Sequence, residues 1–217
     1  MKRHISLLLL LSLVSAVLYA GETDEKKLSL GAIVGFGNSV LGSLEDSSDW
    51  SQDDLGYFAP TLRYQLRPNV AIRIDGTRIK RSNTIELKQG LYTKGVLKSS
   101  VNHIPVTAIY EFPTRHNRNQ YFVGGGIYFD SIVNAELTRR RSNGSELTTD
   151  VIYELPQVTY GAKLIFGSRF SRIFYSEIQL YSDLSSFDLQ DLNQDNLRNS
   201  GFLILLGMDL FRINTGD

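Results

Sequence analysis

The 217-residue chain contains no cysteine. Disulfides, thiolate chemistry and anchoring through a lipidated N-terminal cysteine are therefore excluded. Beyond residue 20 no segment approaches 18 consecutive apolar residues, so the mature chain has no transmembrane helix. That leaves a closed barrel open as a way to cross a membrane, because its signal per strand is far weaker. No charge of one sign dominates either. Lys and Arg number 23 and Asp and Glu number 23, a balance that gives no reason to expect nucleic acid as a partner.

The first twenty residues stand apart. Lys2 and Arg3 precede the apolar "ISLLLLLSLVSAVLYA", and the polar "GETDEKK" follows at once. This is the pattern of a secretory signal peptide, too short for a comfortable spanning helix. Cleavage is expected after Ala16 or after Ala20, with residues 21–217 forming one domain. Removing residues 1–20 leaves 21 basic and 23 acidic residues, a net charge of −2.

What the chain does have is aromatic residues and alternation. Tyrosine and phenylalanine number 11 each, which favours strands. Read with a period of two, the mature chain gives eight candidate strands, "LSLGAIVGFG", "YFAPTLRYQL", "NVAIRIDGTRI", "HIPVTAIYEF", "YFVGGGIYFD", "LPQVTYGAKLIF", "RIFYSEIQLY" and "GFLILLGMDLF". The connections between them alternate. Long ones run over 38–55, 80–102, 131–154 and 182–200, and short ones over 67–69, 113–120 and 167–171. Strict interleaving puts every long connection at one end of an antiparallel up-and-down sheet, the asymmetry of bacterial outer-membrane barrels. The expected fold is all-β, an eight-stranded antiparallel up-and-down transmembrane β-barrel with both termini on the periplasmic side.

The glycines of "YFVGGGIYFD" fit that reading. Eight strands enclose an interior that side chains fill, and inward glycines are expected to relieve crowding beside long residues such as Arg73 or Lys163. Aromatics near strand ends belong at the depth where hydrocarbon meets water. Tyr64, Tyr110, Phe112, Tyr121, Phe166 and Phe174 are expected at the short-turn end, and Tyr57, Phe58, Phe129 and Phe202 at the long-loop end. A soluble periplasmic lipocalin-like binding barrel shows the same alternation with the faces exchanged. Its polar face would be rich in Lys and Glu, which this chain's is not.

The stretches "SVNHIPVTAIYEFP", a short polar turn, and "QYFVGGGIYFD", with "YGAKLIFGSRF" and "IQLYSDLS" further on, resemble the small eight-stranded outer-membrane barrels, most closely the OmpW-like group. The resemblance implies an integral outer-membrane protein without enzymatic activity. Its role would be structural, or a narrow, porin-like passage for small molecules, apolar ones included. Outer-membrane barrels usually end in an aromatic residue read by the barrel-assembly machinery, whereas Phe211 is followed here by "RINTGD".

Under this reading Arg63, Arg73, Asp75, His103, Glu111, Lys163, Glu177 and Asp209 line the lumen. Charges in so narrow a space must pair to offset the cost of burial, as a salt-bridged plug or as the lining of a narrow pore. His103 also supports an alternative, a lipid-modifying enzyme with His103 as general base, but no spacing of a catalytic serine accompanies it. His116 falls in a short turn. The acidic runs Glu45, Asp46, Asp49, Asp53, Asp54 and Asp183, Asp188, Asp191, Asp195 have no EF-hand order, so no metal or other cofactor is expected. Arg139, Arg140 and Arg141 are expected to contact lipopolysaccharide phosphates. The expected partners are outer-membrane lipid and lipopolysaccharide, the barrel-assembly machinery and small apolar molecules. The sequence specifies no oligomeric state.

Overall fold

The structure, a computed structural model, describes residues 27–43, 50–51, 53–87, 91–113, 119–189 and 194–214. The expected signal peptide, His116 and the acidic residues Glu45, Asp46, Asp49 and Asp191 lie outside the described residues.

Every regular element among the described residues is a strand. They are β1 (Lys27–Ser43), β2 (Trp50–Ser51), β3 (Asp53–Arg67), β4 (Val70–Asp75), β5 (Thr77–Glu86) and β6 (Tyr92–Glu111). β7 (Gln120–Arg141), β8 (Glu146–Asp150), β9 (Val158–Arg169), β10 (Phe174–Asp183), β11 (Phe187–Leu189) and β12 (Gln194–Asn214) follow. All pairings are antiparallel. β1 pairs with both β3 and β12, and β6 pairs with β7, so the sheet closes on itself. The ring runs β1, β3, β4 continued by β5, β6, β7, β9, β10, β12 and back to β1. It has eight positions, in the up-and-down order that the alternating connections imply.

The third position is split between β4 and β5 at Gly76, and two prolines account for the split. Pro60 on β3 and Pro105 on β6 flank the same point, one on each side, and neither has an N–H for the ladder. The β3–β4 ladder ends at Thr61 and Asp75. The β4–β6 ladder ends at Ile74 and Val106, and β5–β6 pairing resumes at Thr77 and His103.

The long connections expected from sequence are mostly strand. β6 spans 20 residues and β7 spans 22, about twice what a tilted barrel strand needs to cross the hydrocarbon. β2, β8 and β11 add pairings on β5, β7 and β12 at the same end. The barrel wall therefore continues at its long-loop end well past the length of one such crossing. Leu41, Ile85, Leu97, Leu137, Leu189 and Leu197 form an apolar core there, capped by Val151 and Leu155 from the inturned segment after β8. Sequence alternation misses these extensions because their outward face is polar and residues such as Gly95, Ser99, Ser100 and Asn134 within them read as turn signals.

Side chains sort by face. Val34, Phe58, Ile74, Ile104, Leu164, Ile178, Ile204 and Leu206 point outward and are exposed. Inside, the charged residues are buried, together with Ile33, Ile165, Leu203 and Leu205. This is the inverse of a soluble barrel. Of the aromatics expected at the ends, Tyr110, Phe112, Tyr121, Phe166 and Phe174 are exposed at the short-turn end, and Phe58, Phe129 and Phe202 at the other. Tyr57 departs from expectation. It is 3% exposed and points into the lumen, because it falls out of phase with Phe58 on the same strand.

Candidate functional site in the barrel lumen

The lumen holds three tiers of charge. Near the short turns, Arg63 Nη2 lies 2.7 Å from Glu111 Oε1, Arg169 Nε lies 3.5 Å from the same oxygen, and Arg169 Nη1 lies 2.9 Å from Asp209 Oδ2. At mid-depth, Arg73 donates from Nη1 to Glu177 Oε2 at 2.7 Å and from Nη2 to Glu177 Oε1 at 2.8 Å. Its Nε is 2.9 Å from Asp75 Oδ1. Lys163 Nζ lies 3.4 Å from Asp75 Oδ2 and 3.3 Å from Gln179 Oε1, and Gln179 Nε2 donates to Glu177 Oε1.

The third tier lies toward the long-loop end. Arg81 Nη2 donates to Asp130 Oδ2 at 2.7 Å, and Asp130 Oδ1 meets His103 Nδ1 at 2.5 Å. Beside them the Tyr128 hydroxyl donates to Asp183 Oδ1 at 2.6 Å, while Asn199 donates from its backbone N–H and its Nδ2 to Asp183 Oδ2.

All eight residues expected to line the lumen are placed inside it and buried. They do not form one cluster: Arg63, Glu111 and Asp209 belong to the lowest tier, Arg73, Asp75, Lys163 and Glu177 to the middle, and His103 to the highest. Sequence reasoning missed Arg81, Asp130, Arg169 and Asp183. Arg81 and Asp183 fall just inside segments read as long loops, and Arg169 in a segment read as a turn. Asp130 shares a face with Phe122 and Tyr128, so its alternation carried the signal.

Inward glycines do a different job from the one expected. Tyr128 stands opposite Gly161, Phe122 opposite Gly167, Tyr175 opposite Gly207 and Tyr181 opposite Gly201. A Cβ at Gly161 would come within 2.2 Å of the Tyr128 ring, and one at Gly167 within 2.2 Å of the Phe122 ring. The crowding that these glycines relieve comes from aromatic rings lying flat across the neighbouring strand, not from Arg73 or Lys163. Gly124 and Gly126 instead abut backbone of β6.

The result is a filled interior. The cavity among Arg63, Arg73, Phe122, Arg169 and Tyr175 is about 10 Å³, and that among Arg81, Asn83, Leu97, Leu155 and Asn199 about 20 Å³, each room for about one water. His103 is 4% exposed, faces the lumen and packs between Tyr57 and Tyr128. No group of three or more potential metal ligands occurs among the described residues. Arg139 to Arg141 sit at the far end of β7. Arg139 donates to Thr149 Oγ1, and Arg139 and Arg141 lie over the Tyr92 ring.

No protein-family profile and no curated protein matches the chain. Among solved structures it is similar to Neisserial surface protein A, with 13% identity over 84% of this chain and 99% of that one and a TM-score of 0.46. It is also similar to Ail, the attachment invasion locus protein of Yersinia pestis, with 10% identity over 88% and 100% and a TM-score of 0.44. The outer membrane protein OprG from Pseudomonas aeruginosa gives 12% identity over 90% and 99% and a TM-score of 0.43.

Proposed function

We propose that this chain is an integral protein of the bacterial outer membrane, a structural barrel whose lumen is closed as an axial path and whose strands carry a rigid platform beyond the outer leaflet. One observation carries the reading: apolar side chains cover the outside of a closed eight-position ring while paired charges fill its inside. Only lipid makes that arrangement favourable, because the outward apolar surface would cost free energy in water. Planar-bilayer recording of the refolded protein is the test. No stepwise conductance is expected, and steady single-channel steps through the wild-type barrel would overturn the closed-lumen reading.

A second reading is favoured by the apolar core at the long-loop end. With the Val151–Leu155 segment displaced, Leu41, Leu97, Leu137 and Phe187 would offer a surface for a small apolar molecule, the passage that the OmpW-like resemblance implies. The lipid-modifying enzyme is disfavoured by position: His103 faces away from lipid, and its Nδ1 is held by Asp130. His103→Ala is expected to leave the lipid A acyl pattern unchanged, and a changed pattern would restore the enzyme.

A further inference from the structure

Above Gly76 the barrel wall has a seam. β3 pairs with β4 only as far as Thr61 and Asp75, and β5 pairs with β6 and, near its end, with β2. Among the described residues no ladder joins β3 to β5. In its place Gly76 N–H donates to the Pro60 carbonyl at 3.3 Å, and the Thr77 hydroxyl donates to the Phe58 carbonyl. An open groove of about 640 Å³ follows the seam on the outer surface, lined by Val34, Gly56, Phe58, Pro60, Gly76 and Arg78 among others. A Cβ at Gly56 or at Gly76 would meet nothing within 4 Å, so the floor of the groove is bare.

Arg78 marks the depth. It pairs with Asn102, which pairs with Ser131, one outward-facing step beyond Ile104 and Phe129. Phe129 belongs to the aromatic girdle, so Arg78 stands where hydrocarbon gives way to headgroups. Unladdered backbone is costly in hydrocarbon and tolerable at that depth. Lys80 is the next outward step on β5, and Lys98 stands opposite Ser82. Both line a second groove of about 630 Å³, with Ser82 and Ser100, and with Asp54 and Glu136 on the same wall. Arg78, Lys80 and Lys98 are exposed and make no ion pair with any described residue.

We propose that this seam binds the lipid A moiety of lipopolysaccharide, with an acyl chain in the Gly56–Gly76 groove and phosphates on Arg78, Lys80 and Lys98. Cations spread over successive outward steps match a lipid bearing more than one phosphate, and the bare groove that starts at Gly76, one outward step below Arg78, and runs beside it matches its chain. The proposal rests on the outer-membrane reading above, which turns the long-loop end to the outer leaflet. It moves the lipopolysaccharide contact from Arg139–Arg141 to the membrane-facing wall of β3, β5 and β6.

The test is native mass spectrometry of the refolded barrel in detergent, titrated in turn with bis-phosphorylated lipid A, dephosphorylated lipid A and phosphatidylglycerol. Wild type is expected to retain bis-phosphorylated lipid A best. The triple variant R78Q/K80Q/K98Q is expected to weaken that binding at least about tenfold. Gly76→Leu, which fills open space, is expected to weaken it as well, while R139Q/R140Q/R141Q leaves it unchanged. Unchanged binding by the first triple variant, or equal retention of phosphatidylglycerol by wild type, would overturn the proposal. Heat-modifiable gel migration, run alongside, reports separately on the barrel: its absence in wild type would sink the membrane reading itself.

Discussion

Arg73 and Glu177 join opposite walls of the barrel. β4 is third in the ring and β10 seventh, so the two residues, 104 apart in the chain, are four strands apart by either route. Their bidentate contact at 2.7 and 2.8 Å is a strut across the full diameter. Bidentate guanidinium–carboxylate pairing fixes geometry as well as charge. Asp75, Lys163 and Gln179 complete its surroundings.

A strut of this kind has a characteristic response to mutation. Glu177→Gln leaves the Arg73 guanidinium buried without a full counter-charge and is expected to cost about 3–5 kcal/mol. The double variant R73M/E177M removes both charges and is expected to recover most of that loss. Urea unfolding of the refolded protein in vesicles, followed by gel mobility, measures both. Equal stability of E177Q and wild type would show that the pair does not hold the lumen together.

The glycine–aromatic pairs predict a contrast between two glycines on the same barrel. Gly161→Ala places a methyl group 2.2 Å from the Tyr128 ring and is expected to cost about 1–3 kcal/mol. Gly56→Ala meets open space and is expected to change stability by less than about 0.5 kcal/mol. The same urea assay decides it, and equal losses at the two sites would contradict the packing described for Tyr128.

The strand extensions at the long-loop end predict protection from protease. Irregular loops are cut readily at exposed basic residues, whereas laddered strands are not. Trypsin applied to intact cells is expected to spare the bonds after Lys94, Lys98 and Arg139, which lie within β6 and β7. Leu137→Ala, which removes a fully buried side chain of the upper core, is expected to cost about 2–5 kcal/mol and to expose those bonds. Rapid cleavage of the wild type there would show that the upper strands are not laddered.

Much of the barrel is written in alternation. The phase of Ile72, Ile74, Arg73 and Asp75 on one short strand already separates outer face from lumen, and interleaved long and short connections already order the strands. Depth along the barrel is harder to read. Arg81, Arg169 and Asp183 lie just past the ends of the apolar runs, so a hydrophobic pattern stops before reaching them, although their strands continue. Partners across the lumen are not legible at all: the Arg73–Glu177 pairing depends on ring closure, which no local pattern encodes. Glycine was legible as an inward residue but not as the mate of a particular ring, since Gly161 meets Tyr128 only through the β7–β9 register. Tyr57 shows the same limit, because position near a strand end suggested the girdle while its phase sent it inward.

The absence of cysteine makes the central claim directly measurable, since each introduced cysteine takes a single spin label. Labels at Ile74, Leu164, Ile178 and Leu206 in the vesicle-reconstituted barrel should be relaxed by oxygen dissolved in the hydrocarbon and shielded from a water-soluble nickel chelate. Labels at these four positions that answer to the chelate and not to oxygen would contradict a barrel that turns its apolar face to lipid.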